Sequence, residues 1–86
     1  MNLSIHERKI LELLAAQLLP VTGKEIIERS SGTIGRAGLY GQLSALEEAG
    51  LVRSETVYAT VWGRIALPTL LYCISERGRR LHQGVA

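Results

Sequence analysis

Three segments in the amino-terminal half carry apolar residues three or four positions apart, the spacing of amphipathic helices. The first helix is predicted to run from about Ile5 to Leu18. Ser4 and Glu7 form a capping box at its start, and Pro20 ends the pattern. Its apolar arc is wider than one neighbouring helix requires and contains Ile10, Leu11, Leu13, Leu14 and Leu18.

The second and third helices follow at short intervals. Thr22 and Glu25 form a second capping box, which predicts a short helix to about Arg29 with Ile26 and Ile27 buried. Ile34 is predicted to enter the core between these two helices. The third helix is predicted from Arg36 to about Ala49, capped by Gly35 or Thr33 and burying Leu39, Leu43 and Leu46.

The pattern changes from helical to extended after Gly50. Residues 51–58 and 69–74 are rich in β-branched and aromatic residues, which predicts two strands. Between them lies VWGRIALP, with Gly63 at its hairpin tip; this connection, counted from Tyr58 at the end of the first strand, is called the wing here. Ser75 is predicted to cap a last short helix that ends near Gln83.

This order of elements predicts an α+β, mainly helical fold in a single domain, residues 1–86. Three helices, a two-stranded wing and a short carboxy-terminal helix make a winged helix-turn-helix. The composition of the 86 residues, 47% hydrophobic and 21% charged, is that of a globular domain. The net charge of +2 permits a nucleic-acid partner without requiring one.

The sequence offers no recognisable catalytic or metal-binding motif. His6 and His82 are far apart in the sequence, and neither they nor Cys73 form part of an HExxH, CxxC or paired-carboxylate spacing. We therefore expect neither an enzyme nor a protein with a metal or cofactor. The lone cysteine, the charged start MNLSIHERKI and the absence of a long apolar segment predict a soluble cytoplasmic protein without a membrane partner.

Two groups of residues resemble the PadR-type transcriptional regulators, a MarR-like family. The first is Leu39-Tyr40, Leu43, Leu46-Glu47 and Gly50-Leu51-Val52 in and after the third helix. The second is Tyr72-Cys73-Ile74-Ser75-Glu76-Arg77-Gly78-Arg79 after the wing. The similarity extends over roughly residues 10–81. It implies a homodimeric regulator, often a repressor, that binds double-stranded DNA and is therefore associated with the nucleoid. It also implies that the third helix enters the major groove and that the wing follows the backbone or minor groove.

The outer face of the third helix has few groups that can read a base. Ala37, Gly41, Ser44 and Glu48 are predicted to point outward, with Arg36 and Tyr40 on the flanks. Such a smooth face fits either close contact with DNA, read largely by shape, or packing against another protein. The predicted DNA-binding residues are Thr22, Lys24, Thr33, Arg36, Ala37, Tyr40, Gly41, Ser44 and Arg64.

A homodimer interface is predicted from apolar surface in excess of what a small core can bury. The wide arc of the first helix and the apolar wing supply it. The predicted interface residues are Ile10, Leu11, Leu14, Tyr58, Trp62, Ile65 and Leu67. The cluster Arg77, Arg79 and Arg80 is interpreted as complementing the dipole of the last helix.

The sequence therefore favours a DNA-binding transcriptional regulator, a repressor acting as a dimer. The alternative is a winged-helix protein-protein interaction module, such as a phage or host regulatory adaptor, that uses the same helix face and wing. A third hypothesis is a ligand-sensing regulator, whose ligand would bind at a dimer interface.

Overall fold

The computed structural model describes residues 3–58, 60–65 and 68–84. Its helices are α1 (Ile5–Ala15), α2 (Gly23–Arg29), α3 (Arg36–Glu48) and α4 (Glu76–His82). Its strands are β1 (Val21–Thr22), β2 (Val52–Val57), β3 (Thr60–Val61), β4 (Arg64–Ile65) and β5 (Thr69–Ile74). All four helices and both long strands were predicted, although α1 ends at Ala15 rather than near Leu18. None of the helices among these residues is long and apolar enough to cross a membrane.

The sheet contains one strand that the sequence pattern did not predict. Its order is β1-β5-β2, with antiparallel pairing throughout. In β1, Val21 pairs with Tyr72 and Thr22 with Leu71, so this strand ties the start of α2 to the sheet. Two residues are too few to show alternation, which is why β1 was missed. The wing continues as a small separate hairpin of β3 and β4.

Both predicted capping boxes form. In the second, the Glu25 amide donates to the Thr22 hydroxyl oxygen at 3.1 Å, and the Thr22 amide donates to the Glu25 carboxylate at 3.2 Å. The equivalent distances between Ser4 and Glu7 are 3.1 and 2.9 Å. Each box satisfies amides that a helix start otherwise leaves without partners.

The turn between α2 and α3 is held by a buried serine. The Ser30 hydroxyl donates to the Ile27 carbonyl oxygen at 2.7 Å and accepts from the Ile34 amide at 3.2 Å. Ser31 and Gly32 follow with positive φ of 55° and 84°, which reverses the chain. As predicted, Ile34 is thereby placed in the core, where it is 2% exposed.

A Schellman motif ends α3 and directs the chain into β2. Gly50 has a φ of +76°, its amide donates to the Glu47 carbonyl oxygen, and the Leu51 amide donates to that of Leu46, both at 2.9 Å. Leu46 and Leu51 are both buried. The glycine in the segment that carries the family resemblance therefore has a defined structural role.

The position of α1 corrects part of the dimer prediction. Ile10, Leu11 and Leu14 are at most 2% exposed because α1 packs against α2, α3, α4 and β5 of its own chain. Their wide apolar arc serves several intramolecular neighbours. These three side chains are unavailable to a partner subunit, and their assignment to a dimer interface is wrong.

Candidate nucleic-acid interface

The orientation of α3 agrees with the predicted helical phase. The side chains of Leu39, Leu43 and Leu46 are at most 1% exposed. The outward-facing residues predicted from the same phase are all exposed: Arg36, Ala37, Tyr40, Gly41, Ser44 and Glu48. The exposed surface of α3 is therefore made largely of small side chains, so its backbone lies close to whatever it contacts.

Tyr40 connects α3 to the start of α2. A Cβ added to Gly23 would lie 2.8 Å from the Tyr40 hydroxyl oxygen and 3.2 Å from two ring carbons. The ring therefore rests on the bare backbone of Gly23, next to Lys24, and is still 50% exposed. Sequence reasoning identified Tyr40 and missed Gly23, because the contact depends on how α2 and α3 cross.

Lys24, Arg36 and Arg64 are exposed and project from three different elements, α2, α3 and the wing. Within residues 3–58, 60–65 and 68–84, none of the three takes part in an ion pair. Glu25, the neighbour of Lys24, instead pairs with Arg29 at 3.6 Å. Three cations without carboxylate partners are therefore available to an external anion.

The hydroxyls of Thr22 and Thr33 differ in availability. Thr33 is exposed in the turn before α3. Thr22 is half-buried, and its hydroxyl both caps α2 and donates to the Glu25 carboxylate at 3.2 Å. The backbone amide of Thr22 is the main cause of a lowered pKa at Glu25, with the Thr22 hydroxyl and Arg29 adding to it and partial desolvation opposing it. Thr22 thus stabilises α2, and its predicted contact with DNA stays a prediction.

Charge is distributed unevenly along α3. Arg36 is its first residue, whereas Glu47 and Glu48 are its last two. The Glu47 carboxylate accepts a hydrogen bond from the Ser54 hydroxyl at 2.8 Å. The positive end of the helix dipole coincides with Arg36, so the amino-terminal half of α3 is the half suited to approach an anion.

Gln42 faces α1 rather than the exposed surface. Its Nε2 lies 3.3 Å from Nδ1 of His6, and its Oε1 is buried without a hydrogen-bond partner among the described residues. The polar side chains that remain exposed along the first three turns of α3 are therefore Arg36, Tyr40 and Ser44.

Tyr72 lies near α3 on the buried side of the sheet. It is 5% exposed, and burial raises the pKa of its phenol, with smaller contributions from Tyr40 and Glu47. Tyr72, in β5, is thus one of the buried residues of the core.

The tip of the wing exposes an aromatic side chain on a strained backbone. Val61 pairs with Arg64, so Trp62 and Gly63 form a two-residue loop with φ of 55° and 73°. Positive φ at both positions is the pattern of a type I′ turn. For a bulky residue such as Trp62, this conformation costs on the order of 1–3 kcal/mol.

Two wing residues of the predicted dimer interface are exposed. Trp62 is 96% exposed and Tyr58 is 68% exposed. The side chain of Ile65 and the whole of Leu67 lie outside the described residues. The assignment of the wing to a dimer interface therefore stays a prediction.

The arginines of α4 make contacts within their own chain. Arg79 donates to the Ala15 carbonyl oxygen at 3.4 Å, at the end of α1, and Arg80 pairs with Glu76 at 2.7 Å. Arg77 lies beside Gly50. The structure thus adds a tertiary cap of α1 to the predicted dipole effect. No group of three or more His, Cys, Asp or Glu side chains in the described part of the chain could hold a metal ion.

The fold was compared with those of known proteins. A PadR-like transcription factor from Bacteroides fragilis aligns over 93% of this chain and 75% of its own, with 20% identity and a TM-score of 0.76. A MarR-family transcriptional regulator from Rhodococcus sp. RHA1 aligns over 95% of this chain and 51% of its own, with 23% identity and a TM-score of 0.66. A protein from Streptococcus mutans aligns over 98% and 78%, with 22% identity and a TM-score of 0.64.

Comparison of the amino-acid sequence alone assigns the chain to no family. No protein-family model matches the chain, and no curated protein matches it. The likeness is thus one of architecture, which extends over more than nine tenths of this chain. The chain has the winged-helix fold found in PadR-like and MarR-family transcriptional regulators.

Proposed function

We propose that this protein is a DNA-binding transcriptional regulator, a repressor without enzymatic activity, that inserts the amino-terminal half of α3 into the major groove. The observation that carries the proposal is the exposed face of α3. Ala37, Gly41 and Ser44 leave room for close approach, and Arg36 and Tyr40 border them. A helix of this kind fits the width of the major groove of B-form DNA.

Phosphate contacts supply most of the affinity in this arrangement. Lys24 follows Gly23, which the Tyr40 ring contacts, Arg36 lies four residues before Tyr40 on α3, and Arg64 lies on the wing. Since Arg36, Tyr40 and Ser44 are the few polar side chains on α3 that can reach base edges, sequence preference comes mainly from DNA shape. The acidic residues Glu47 and Glu48 keep the carboxy-terminal end of α3 away from the backbone.

A homodimer is part of the proposal. Two copies related by a two-fold axis present two α3 helices to a palindromic site. Ile5, Leu18 and Leu19 are 77–100% exposed at the two ends of the α1 region and offer apolar surface to a partner copy. The protein then acts in the cytoplasm, on the nucleoid. Light scattering tests the dimer, because a mass near 9.4 kDa at micromolar concentration is that of a monomer.

A salt series tests DNA binding directly. If two or three cations per subunit act in a dimer, about four to six phosphates are neutralised and log K falls with log salt at about −0.9 per phosphate. Lys24→Gln, Arg36→Gln and Arg64→Gln should each lower the steepness of that dependence. Arg80→Gln is the matched control, because it removes the same charge from an ion pair on α4.

The negative outcome is equally defined. If the wild-type protein retards no duplex at low salt and micromolar concentration, the regulator proposal is wrong. The face of α3 then belongs to a protein-protein interaction module.

A further inference from the structure

We propose that Trp62 is a base-contacting wedge, which places its indole against a base step in the minor groove beneath the wing. The proposal rests on the function proposed above and assigns the wing tip to DNA rather than to a second copy of the chain. Three observations carry it: the exposure of the indole, the strain of its backbone and the charge beside it.

The indole is presented to solvent almost completely. Trp62 is the only tryptophan of the chain and is 96% exposed at the apex of the β3–β4 hairpin. Its loop neighbour, Gly63, has no side chain to cover it. An indole has a large apolar surface that gains from leaving water, and here its own fold covers almost none of it.

The backbone of Trp62 is unfavourable for a tryptophan. Its φ of 55° lies in the left-handed region, and the two-residue loop has the dihedral pattern that prefers Asn-Gly. Turn stability alone therefore favours asparagine at this position. Local strain of this type is found where a side chain serves a function at the surface.

The neighbourhood of Trp62 fits DNA better than a second protein. Arg64 is exposed across the same turn, and minor-groove proteins combine an inserted apolar side chain with cationic ones. One aromatic side chain buries at most about 250 Å². That area suffices for stacking on a base but is a small part of the roughly 1,200 Å² that a stable protein interface needs.

The test uses a fluorescein-labelled duplex that the wild-type protein selects from a random-sequence library. Anisotropy of the fluorescein measures binding whether or not the wing takes part. In parallel, unlabelled duplex of the same sequence is added while the emission of Trp62 is recorded. Stacking on a base should quench that emission and protect the indole from acrylamide, and an unchanged emission on a saturated duplex overturns the wedge.

Two variants distinguish the effect of losing the indole from the effect of altering the turn. Trp62→Asn suits the turn and removes the wedge, so it should weaken binding by about 5- to 150-fold for each subunit that contacts the duplex, the range for loss of one base–aromatic stack. Thermal unfolding should show it to be at least as stable as the wild type. Trp62→Phe keeps an aromatic ring and should retain most of the affinity.

The remaining outcomes are also decisive. If Trp62→Asn binds the duplex as tightly as the wild type, the wedge is wrong while the regulator proposal stands. If Trp62→Asn reduces the solution mass from dimer to monomer, the wing tip joins two copies and the wedge is wrong. If no duplex is bound by the wild type, both proposals are wrong.

Discussion

The hydroxyl of Tyr40 lies directly over the backbone of Gly23, at a place where a Cβ would come within 2.8 Å of it. This contact joins the amino-terminal part of α3 to the start of α2. It places a half-exposed phenol beside Lys24, on the side of the domain proposed to face DNA. The absence of a side chain at residue 23 thus determines where the phenol sits.

Gly23→Ala should move the Tyr40 hydroxyl and weaken DNA binding, with little effect on folding. The atom that must shift is the far end of a half-exposed side chain, and alanine is favourable in a helix, so the free energy of unfolding should change by less than about 1 kcal/mol. Anisotropy measures the loss of affinity, and urea unfolding measures stability. If affinity is unchanged while NMR shows a displaced Tyr40 ring, Tyr40 does not contact DNA.

Gly41→Arg and Ser44→Glu should abolish DNA binding without unfolding the domain. Both positions are exposed, and nothing lies within 4 Å of a Cβ added at Gly41. A large or acidic side chain there blocks close approach to the groove or repels phosphate. Far-ultraviolet circular dichroism and thermal unfolding should match the wild type within experimental error, while gel retardation is lost.

Leu43→Ala on the same helix should have the opposite effects: it should lower stability and leave DNA binding intact. Leu43 is 1% exposed, so its truncation should cost about 2–5 kcal/mol of unfolding free energy. At temperatures where the variant is folded, DNA affinity should persist. A large stability loss for Ser44→Glu together with none for Leu43→Ala would contradict the phase of α3.

The sequence predicted those features that depend on local pattern. Leucine spacing gave the buried face of α3, and the two capping boxes gave the starts of α1 and α2. Leu18 was wrongly included in the first helix. The helix ends at Ala15, Leu18 is fully exposed, and Pro20 restricts the residue before it.

Features that depend on tertiary packing were not predictable from the pattern. The broad arc of α1 indicates several apolar neighbours but does not say whether these belong to the same chain or to a partner. The structure shows that they belong to the same chain, which is why Ile10, Leu11 and Leu14 were misassigned. The contact of Tyr40 with Gly23 and the short strand β1 likewise arise only when α2, α3 and the sheet meet.

Ser75→Ala and Gly78→Ala should both destabilise the domain at the junction of α3, β2 and α4. The Ser75 hydroxyl donates to the Gly50 carbonyl oxygen at 2.6 Å and accepts from the Gly78 amide at 3.0 Å. A Cβ at Gly78 would overlap the Leu51 carbonyl group. Ser75→Ala removes the cap and should lower the free energy of unfolding by about 1–2 kcal/mol. Gly78→Ala introduces the overlap and should lower it by about 2 kcal/mol or more.

Urea unfolding measures both variants, and Gly41→Ala is the control for the glycine. Gly41 lies in a helix with open space around it, so alanine there should raise stability by up to about 1 kcal/mol. Equal effects of Gly78→Ala and Gly41→Ala would show that close packing against Leu51 is absent in solution.

The capping box of α2 should make stability depend on pH through Glu25. Its hydrogen bonds with Thr22 and its attraction to Arg29 lower the pKa of the folded carboxyl below the ordinary value of 4.5. The unfolded chain therefore binds the proton more readily than the folded one. The resulting stabilisation is complete above pH 4.5 and is lost as the pH falls through the lowered folded pKa.

Glu25→Gln isolates this effect because glutamine at the same helix position still accepts the capping hydrogen bond but does not titrate. Between about pH 3 and pH 7, the melting temperature of the variant should fall less steeply with acidification than that of the wild type. Glu28→Gln is the control, since Glu28 takes part in none of the ion pairs among the described residues. If both variants flatten the profile equally, loss of negative charge explains the change, and the capping box makes no specific contribution to it.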